Sequence, residues 1–165
     1  MNNFILRQEL FNNPEKFGLH LKSKNSASLI KSYEDKGLLP GSVTIGAGLK
    51  NRAKRAGYYY PVVLEMIRDI KKRKECREYT LAGIRKILRK RYAQVFQLMD
   101  ILDLFQLRFL KKSTLFDYID QSNLTKQQSE RIRELYEEKK PTNEVKKSIL
   151  EMLSQINITS EVNCE

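Results

Sequence analysis

The chain has 165 residues, of which 41% are hydrophobic and 31% charged, with seven Gly, four Pro and no Trp. This length suits one compact domain or a small domain with an oligomerisation element, and the scarcity of Gly and Pro favours helices over short strands. The sequence contains no apolar run of about 18 residues and shows no signal-peptide pattern, which excludes a membrane span and favours a cytoplasmic protein.

Positive charge is concentrated in the first part of the chain. Residues 1–95 contain 21 Lys and Arg against 8 Asp and Glu, whereas residues 96–165 contain 10 against 12. This asymmetry favours a polyanionic partner, a nucleic acid or an anionic membrane surface, over a basic face that only keeps the protein soluble.

Two helices joined by a turn are predicted near the N-terminus. The first covers residues 14–23 and starts with Pro14, a residue favoured at the first helical position. The second covers residues 27–36, with Ser26 as its N-cap and Gly37 in the left-handed position that ends it. The pattern is therefore helix, turn, helix and abrupt stop.

Residues 41–60 are predicted to form a β-hairpin. The β-prone segments V-T-I (43–45) and Y-Y-Y (58–60) flank L-K-N-R-A-K-R-A-G (49–57), which is basic and contains no acid. A flexible surface loop is the alternative, but the flanking residues favour the hairpin with a basic tip.

Further helices are predicted over residues 61–74 and from Leu81 onward, the latter capped by Thr80. From Leu81 the apolar spacing alternates between three and four with one exception, Arg91. This spacing predicts one long helix over residues 79–112. Its seam comprises Leu81, Ile84, Leu88, Val95, Leu98, Leu102, Phe105 and Phe109.

Such a seam has two explanations. A long core helix packed on its own chain is one, but a small protein has little mass to cover four heptads. A coiled coil in a homodimer is therefore favoured, since a second copy covers the seam. The residues assigned to dimerisation are Leu88, Val95, Leu98, Leu102, Phe105 and Phe109.

Three shorter amphipathic helices are predicted after the seam. They cover residues 113–121, 125–140 and 142–156, and the second opens with the capping box T-K-Q-Q. The predicted division is a DNA-binding domain at 1–78, a dimerisation helix at 79–112 and a small helical region at 113–165. Residues 113–156 are the candidate surface for a protein partner.

Enzymatic chemistry has little support in the sequence. His20 is the only histidine, the acids are scattered, and no phosphate-binding or nucleophile motif is present. Cys76 and Cys164 are far apart, which argues against a disulfide scaffold or a zinc site and for a reducing compartment. Cationic neighbours would lower the pKa of a Cys76 thiol, a minor redox hypothesis. We expect no enzyme activity, no cofactor and no metal.

Nucleic-acid binding accounts for the same residues more fully. The second helix of a helix-turn-helix lies in the major groove, and a basic hairpin tip follows the phosphates or enters the minor groove. RNA is less favoured, because no aromatic strand motif or G-x-x-G clamp is visible. The candidate DNA-binding residues are Lys24, Asn25, Ser26, Ser28, Lys31 and Ser32 around the second helix, and Lys50, Arg52, Lys54, Arg55 and Tyr58 in the hairpin.

Three segments in order resemble the MerR family of transcription regulators. L-I-K-S-Y-E-D-K-G-L-L-P resembles the end of its recognition helix, A-G-Y-Y-Y-P-V-V-L-E-M-I-R-D-I its wing strand and next helix, and E-Y-T-L-A-G-I-R-K-I-L the segment before its dimerisation helix. The resemblance implies a winged helix-turn-helix dimer joined by an antiparallel coiled coil that binds promoter-like operators. It covers residues 15–110, and Lys31 stands where the family usually has a DNA-contacting Arg. Ser32 and Tyr59 depart from the customary Tyr and Arg.

The leading hypothesis is a mostly α-helical, dimeric, sequence-specific DNA-binding regulator of transcription, located at the nucleoid. The alternative is a DNA-organising or plasmid or chromosome segregation protein that uses the same winged helix and recruits a partner through its C-terminal helices. A third is a basic protein associated with RNA or membrane.

Overall fold

The computed structural model describes residues 4–21, 25–46, 56–76 and 79–156. The described residues are mostly helical, with a small three-stranded antiparallel sheet. In chain order the elements are β1 (Ile5–Leu6), α1 (Arg7–Asn12), a 3-10 helix (Pro14–Phe17), α2 (Ser26–Asp35), β2 (Val43–Ile45), β3 (Ala56–Tyr59), α3 (Val62–Glu75), α4 (Leu81–Arg91), α5 (Ala93–Phe105), α6 (Lys112–Gln121), α7 (Lys126–Glu137) and α8 (Thr142–Ser154).

The helix predicted over residues 14–23 is wrong. Within residues 14–21 the only helical element is the 3-10 turn Pro14–Phe17, and the first α-helix lies before it, at Arg7–Asn12. Gly18 follows the turn with a φ of 76°, a left-handed conformation that redirects the chain. The guanidinium of Arg68 on α3 donates to the carbonyl of Phe17 at 3.2 Å, so this connection is fastened to α3.

The second predicted helix is present as α2, with its start corrected and its end confirmed. Asn25, not Ser26, is the N-cap: its side-chain oxygen accepts from the amide of Ser28 at 3.1 Å. At the other end Gly37 has a φ of 72°, and the amide of Leu38 donates to the carbonyl of Tyr33 at 2.9 Å. This is the Schellman arrangement, which glycine permits because it lacks a Cβ.

The predicted hairpin is confirmed at its base. β2 and β3 pair antiparallel, with Thr44 opposite Gly57, and β1 pairs with the other side of β3. The strand order β1–β3–β2 makes β2 an edge of the sheet. The basic tip lies outside the described residues.

The single long helix predicted over residues 79–112 is wrong. α4 ends at Arg91, Tyr92 leaves the helical conformation with φ −110° and ψ 37°, and α5 begins at Ala93. The residues at the break contact the buried carboxylate of Asp69 on α3. It accepts from the hydroxyl of Tyr92 at 2.9 Å and lies 3.1 Å from Nε of Arg91. Arg91, the exception in the seam, is therefore the partner of a buried acid.

The coiled-coil assignment stays a prediction, although four of its six residues are buried within one chain. Leu88, Val95, Leu98 and Leu102 are at most 3% exposed in one chain. α5 packs chiefly on α8, so the C-terminal helices supply the cover that a second copy was expected to give. The less favoured alternative, packing on the same chain, describes the structure better.

The other two residues of the dimerisation set lie outside this buried seam. Phe105 is half-buried and meets Tyr136 edge-on, with 6.5 Å between ring centres. Phe109 is 82% exposed in the connection between α5 and α6. The homodimer itself stays a prediction.

Three C-terminal helices are present as predicted, as α6, α7 and α8. The capping box at the start of α7 is confirmed, since Thr125 and Gln128 exchange side-chain to backbone hydrogen bonds at 3.1 and 2.9 Å. Buried side chains form one hydrophobic cluster that runs from Ile5 to Leu153. The domain boundaries after residues 78 and 112 stay predictions, because this cluster continues across both.

Candidate nucleic-acid interface

The outward face of α2 is polar and open. Ile30 and Tyr33 point into the core and are 0% and 3% exposed, whereas Ser28 and Lys31 are exposed one turn apart on the opposite side. Ser32 is half-buried beside them. The small side chains of Ser28 and Ser32 beside Lys31 leave this face free of bulky groups, so the helix can enter a DNA groove.

The C-terminal end of α2 is fixed by α4. Arg85 donates from Nε and Nη2 to the carbonyl of Lys36, at 2.9 and 2.7 Å. This fork satisfies a carbonyl left over at the helix end and places positive charge where the helix dipole favours it. The orientation of α2 is thereby tied to the helix after α3.

Two lysines are close to each other at the same end of α2. The ammonium of Lys74 lies 4.8 Å from the centre of the Tyr33 ring, and burial together with the nearby charge of Lys36 lowers the pKa of Lys74. Neither lysine forms an ion pair with the described residues. A phosphate oxygen placed here would relieve the repulsion between them.

A polar network joins α2 to the sheet. The hydroxyl of Tyr59 donates to the carboxylate of Glu34, and Nη2 of Arg7 lies 3.3 Å from the other oxygen of that carboxylate. Burial, followed by the hydrogen bond to Glu34, raises the pKa of Tyr59. Residues of α1, α2 and β3 thus hold α2 at a set angle to the hairpin.

The structure brings five predicted DNA-binding residues together around α2: Asn25, Ser26, Ser28, Lys31 and Ser32. Tyr58 lies on β3, where it is half-buried and meets Phe4 edge-on at 6.5 Å between ring centres. The remaining candidates, Lys24, Lys50, Arg52, Lys54 and Arg55, lie outside the described residues.

Sequence reasoning missed the cations around the end of α2. Lys36 and Lys74 are 38 positions apart in the sequence, and Arg85 follows eleven positions later. Lys74 carried a usable signal as part of the K-K-R-K run that ends α3. Arg85 carried none, because its role depends on where α4 packs.

The residues considered for catalysis, redox chemistry or metal binding have ordinary structural surroundings. His20 is exposed, and its carbonyl accepts from the ammonium of Lys71. Cys76 is half-buried just after α3, with its Sγ 3.1 Å from the carbonyl oxygen of Lys72, and its redox role stays a prediction. In the described ranges no three His, Cys, Asp or Glu side chains are grouped to hold a metal ion. Across the same ranges, every helix is too short or too polar to cross a bilayer.

Comparisons with protein-family models, with curated proteins and with solved structures found no match to this chain.

Proposed function

We propose that this chain binds double-stranded DNA sequence-specifically and regulates transcription, as its resemblance to the MerR family implies. The observation that carries the proposal is the polar face of α2. Ser28 and Lys31 project outward from a helix whose other side is anchored in the core by Ile30 and Tyr33. Fixed helices of this kind read base edges in the major groove.

The division of contacts follows from the chemistry of the side chains. Lys31 reaches a base edge or a phosphate from the middle of α2, while Lys36 and Lys74 meet the backbone beside the groove. The hairpin joins the same surface through the Glu34 network and contacts the neighbouring turn of the duplex. In this arrangement the phosphate contacts supply affinity and the face of α2 supplies selectivity.

One chain is proposed as the DNA-binding unit. The face of α5 that a coiled-coil partner would cover is occupied by α8, and Leu98 is fully buried without a second copy. A single copy presents one α2, so its binding site need not be a palindrome. The MerR-type homodimer of the sequence hypothesis predicts two half-sites instead.

A DNA-organising or segregation role remains the second candidate from the sequence. The apolar side chains of α6 to α8 lie largely in the core, with Leu115, Ile132 and Ile149 fully buried. A partner of residues 113–156 would therefore meet a mainly polar surface, which gives this reading no added support.

Selection of bound duplexes from a random pool tests the function. We expect the wild-type chain to enrich a defined motif and Lys31→Ala to lose most of that enrichment. Lys126→Ala is the matched control, because Lys126 is exposed on α7 and lies outside the proposed interface. Absence of any motif with the wild-type chain, or equal enrichment by Lys31→Ala, would contradict the proposal.

A further inference from the structure

The base of the β2–β3 hairpin is held by α8, a helix that begins almost 100 residues later. Nδ2 of Asn143 donates to the carbonyl of Gly46 at 3.1 Å, and Nζ of Lys146 donates to the carbonyl of Thr44 at 2.8 Å. Both donors lie in the first half of α8, three positions apart, and therefore on one face of that helix.

These contacts complete an otherwise open sheet edge. β2 is an edge strand, because only β3 pairs with it, and the edge of a sheet leaves backbone groups without strand partners. The side chains of α8 take the place of a fourth strand for two successive outward groups. On this edge the carbonyl of Thr44 in β2 and that of Gly46, just after it, therefore accept from side chains of a helix and not from a strand.

α8 is itself rigidly seated. Val145, Ile149 and Leu153 on its inner face are at most 2% exposed, and its main packing partner is α5. The contacts therefore run from the core through α5 and α8 to Thr44 and Gly46.

We infer that Asn143 and Lys146 are positioning residues that set the hairpin at the angle to α2 needed for DNA binding. This inference rests on the proposed function. In it the C-terminal helices act in binding without touching DNA: they hold the hairpin from one side while the Glu34–Tyr59 contact holds β3 from the other. Removal of either donor lets the hairpin swing away from the phosphates, although α2 stays in place.

The test measures affinity for a selected duplex across a salt series. Asn143→Ala and Lys146→Met are each expected to lower affinity about fivefold, as expected for the removal of one hydrogen bond. The slope of log affinity against log salt should fall by about 0.9 for each phosphate that the hairpin no longer reaches. Lys146→Arg, which keeps a donor, should restore both values, and Lys147→Met is the matched control because Lys147 is exposed on the same helix.

The thermal midpoint separates positioning from folding. We expect the midpoint to stay within about 2 °C of the wild type in each variant, because both hydrogen bonds lie at or near the surface. Asn143→Ala carries no change of charge, so its reduced salt slope reports hairpin contacts and not a lysine removed from DNA.

Three results would overturn the inference. Wild-type affinity and slope in both Asn143→Ala and Lys146→Met would show that the hairpin needs no support from α8. A weakening confined to Lys146→Met would show that Lys146 contacts phosphate directly. A weakening matched by Lys147→Met would show a general charge effect. If Lys31→Ala still weakens binding in any of these cases, the proposed function stands and the positioning role alone fails.

Discussion

Lys31 is the single cation in the middle of the exposed face of α2, and its neighbours Ser28 and Ser32 cannot replace its charge. We expect Lys31→Ala to weaken binding to a selected duplex by about 1–3 kcal/mol if the ammonium reaches a base edge. A phosphate contact would instead weaken all sequences equally and lower the salt slope by about 0.9. Fluorescence anisotropy on the selected duplex and on a scrambled one distinguishes the two cases. Unchanged affinity on both duplexes would remove α2 from the interface.

Asp69 is the residue whose replacement the fold should tolerate least. Its side chain is 1% exposed and faces Arg73, Arg91 and the hydroxyl of Tyr92. We expect Asp69→Asn to lower the free energy of unfolding by about 3 kcal/mol, because it leaves two guanidinium groups without their charge partner. Urea denaturation measures the change. Glu65→Gln is the control, since its ion pair with Arg68 is exposed and is worth under about 1 kcal/mol.

Tyr92 gives the fold a dependence on alkaline pH. Burial chiefly, and then the charge and hydrogen bond of Asp69 against the opposing effect of Arg91, raise its pKa to about 12. A tyrosine is neutral when protonated, and burial favours this neutral form. Its contribution to the free energy of unfolding is therefore complete below the unfolded pKa of about 10 and is lost as pH rises towards 12. We expect this loss to be about 2 kcal/mol.

Urea denaturation of the wild type and of Tyr92→Phe between pH 9 and 12 isolates that contribution. The difference in unfolding free energy between the two chains should shrink as pH rises through 10 to 12, because only the wild type has this group to ionise. Lysines and the other tyrosines titrate in both chains, so their effects on the unfolding free energy cancel in the difference. A difference that stays constant over this range would contradict the assignment.

At the scale of elements, the break between α4 and α5 decides the architecture. Leu98 lies on α5, the helix that packs on α8 of the same chain, and is fully buried. We expect Leu98→Ala to lower the unfolding free energy by about 2–5 kcal/mol without changing the state of association. The thermal midpoint of both chains should be independent of protein concentration, as for a unimolecular transition. Leu107→Ala, at a 54% exposed position, should change stability by less than about 0.5 kcal/mol.

Several helix ends with local sequence signals could be predicted, although Pro14 and Ser26 misled. Gly37, the T-K-Q-Q box and Thr80 each specify a helix end with residues next to it in sequence, and each is confirmed. The break at Tyr92 coincides with a hydrogen bond to Asp69, 23 positions earlier, and a heptad pattern contains no information on such a contact. Likewise, the spacing of the seam identified five buried residues, Ile84, Leu88, Val95, Leu98 and Leu102, but not the exposure of Leu81 and Phe109 or the packing of α8 on α5.

The candidate interface also contains residues that the sequence could predict and residues that it could not. The face of α2 follows from helical periodicity, so Ser28 and Lys31 could be assigned to it from the sequence alone. Lys36, Lys74 and Arg85 meet only because α3 and α4 pack around the end of α2. Their cluster therefore required the tertiary structure.

At the scale of the whole molecule, the C-terminal helices cover the surface that was expected to pair two chains. We expect one chain to bind one duplex site of about one helical turn plus the hairpin contact, about 10 base pairs or slightly more. Sedimentation velocity of the complex at increasing protein concentration measures the ratio of chains to duplex. Two chains per duplex, even on the shortest duplex that binds, would support the homodimer instead.

The most direct test of the central claim is methylation protection of guanine N7, an atom that lies in the major groove. On the selected duplex, the wild-type chain should protect guanines within one continuous stretch of major groove, and Lys31→Ala, at a concentration that saturates binding, should lose protection at one or two of them. Binding with every guanine N7 fully reactive, or protection identical in the two chains, would show that α2 does not read the major groove.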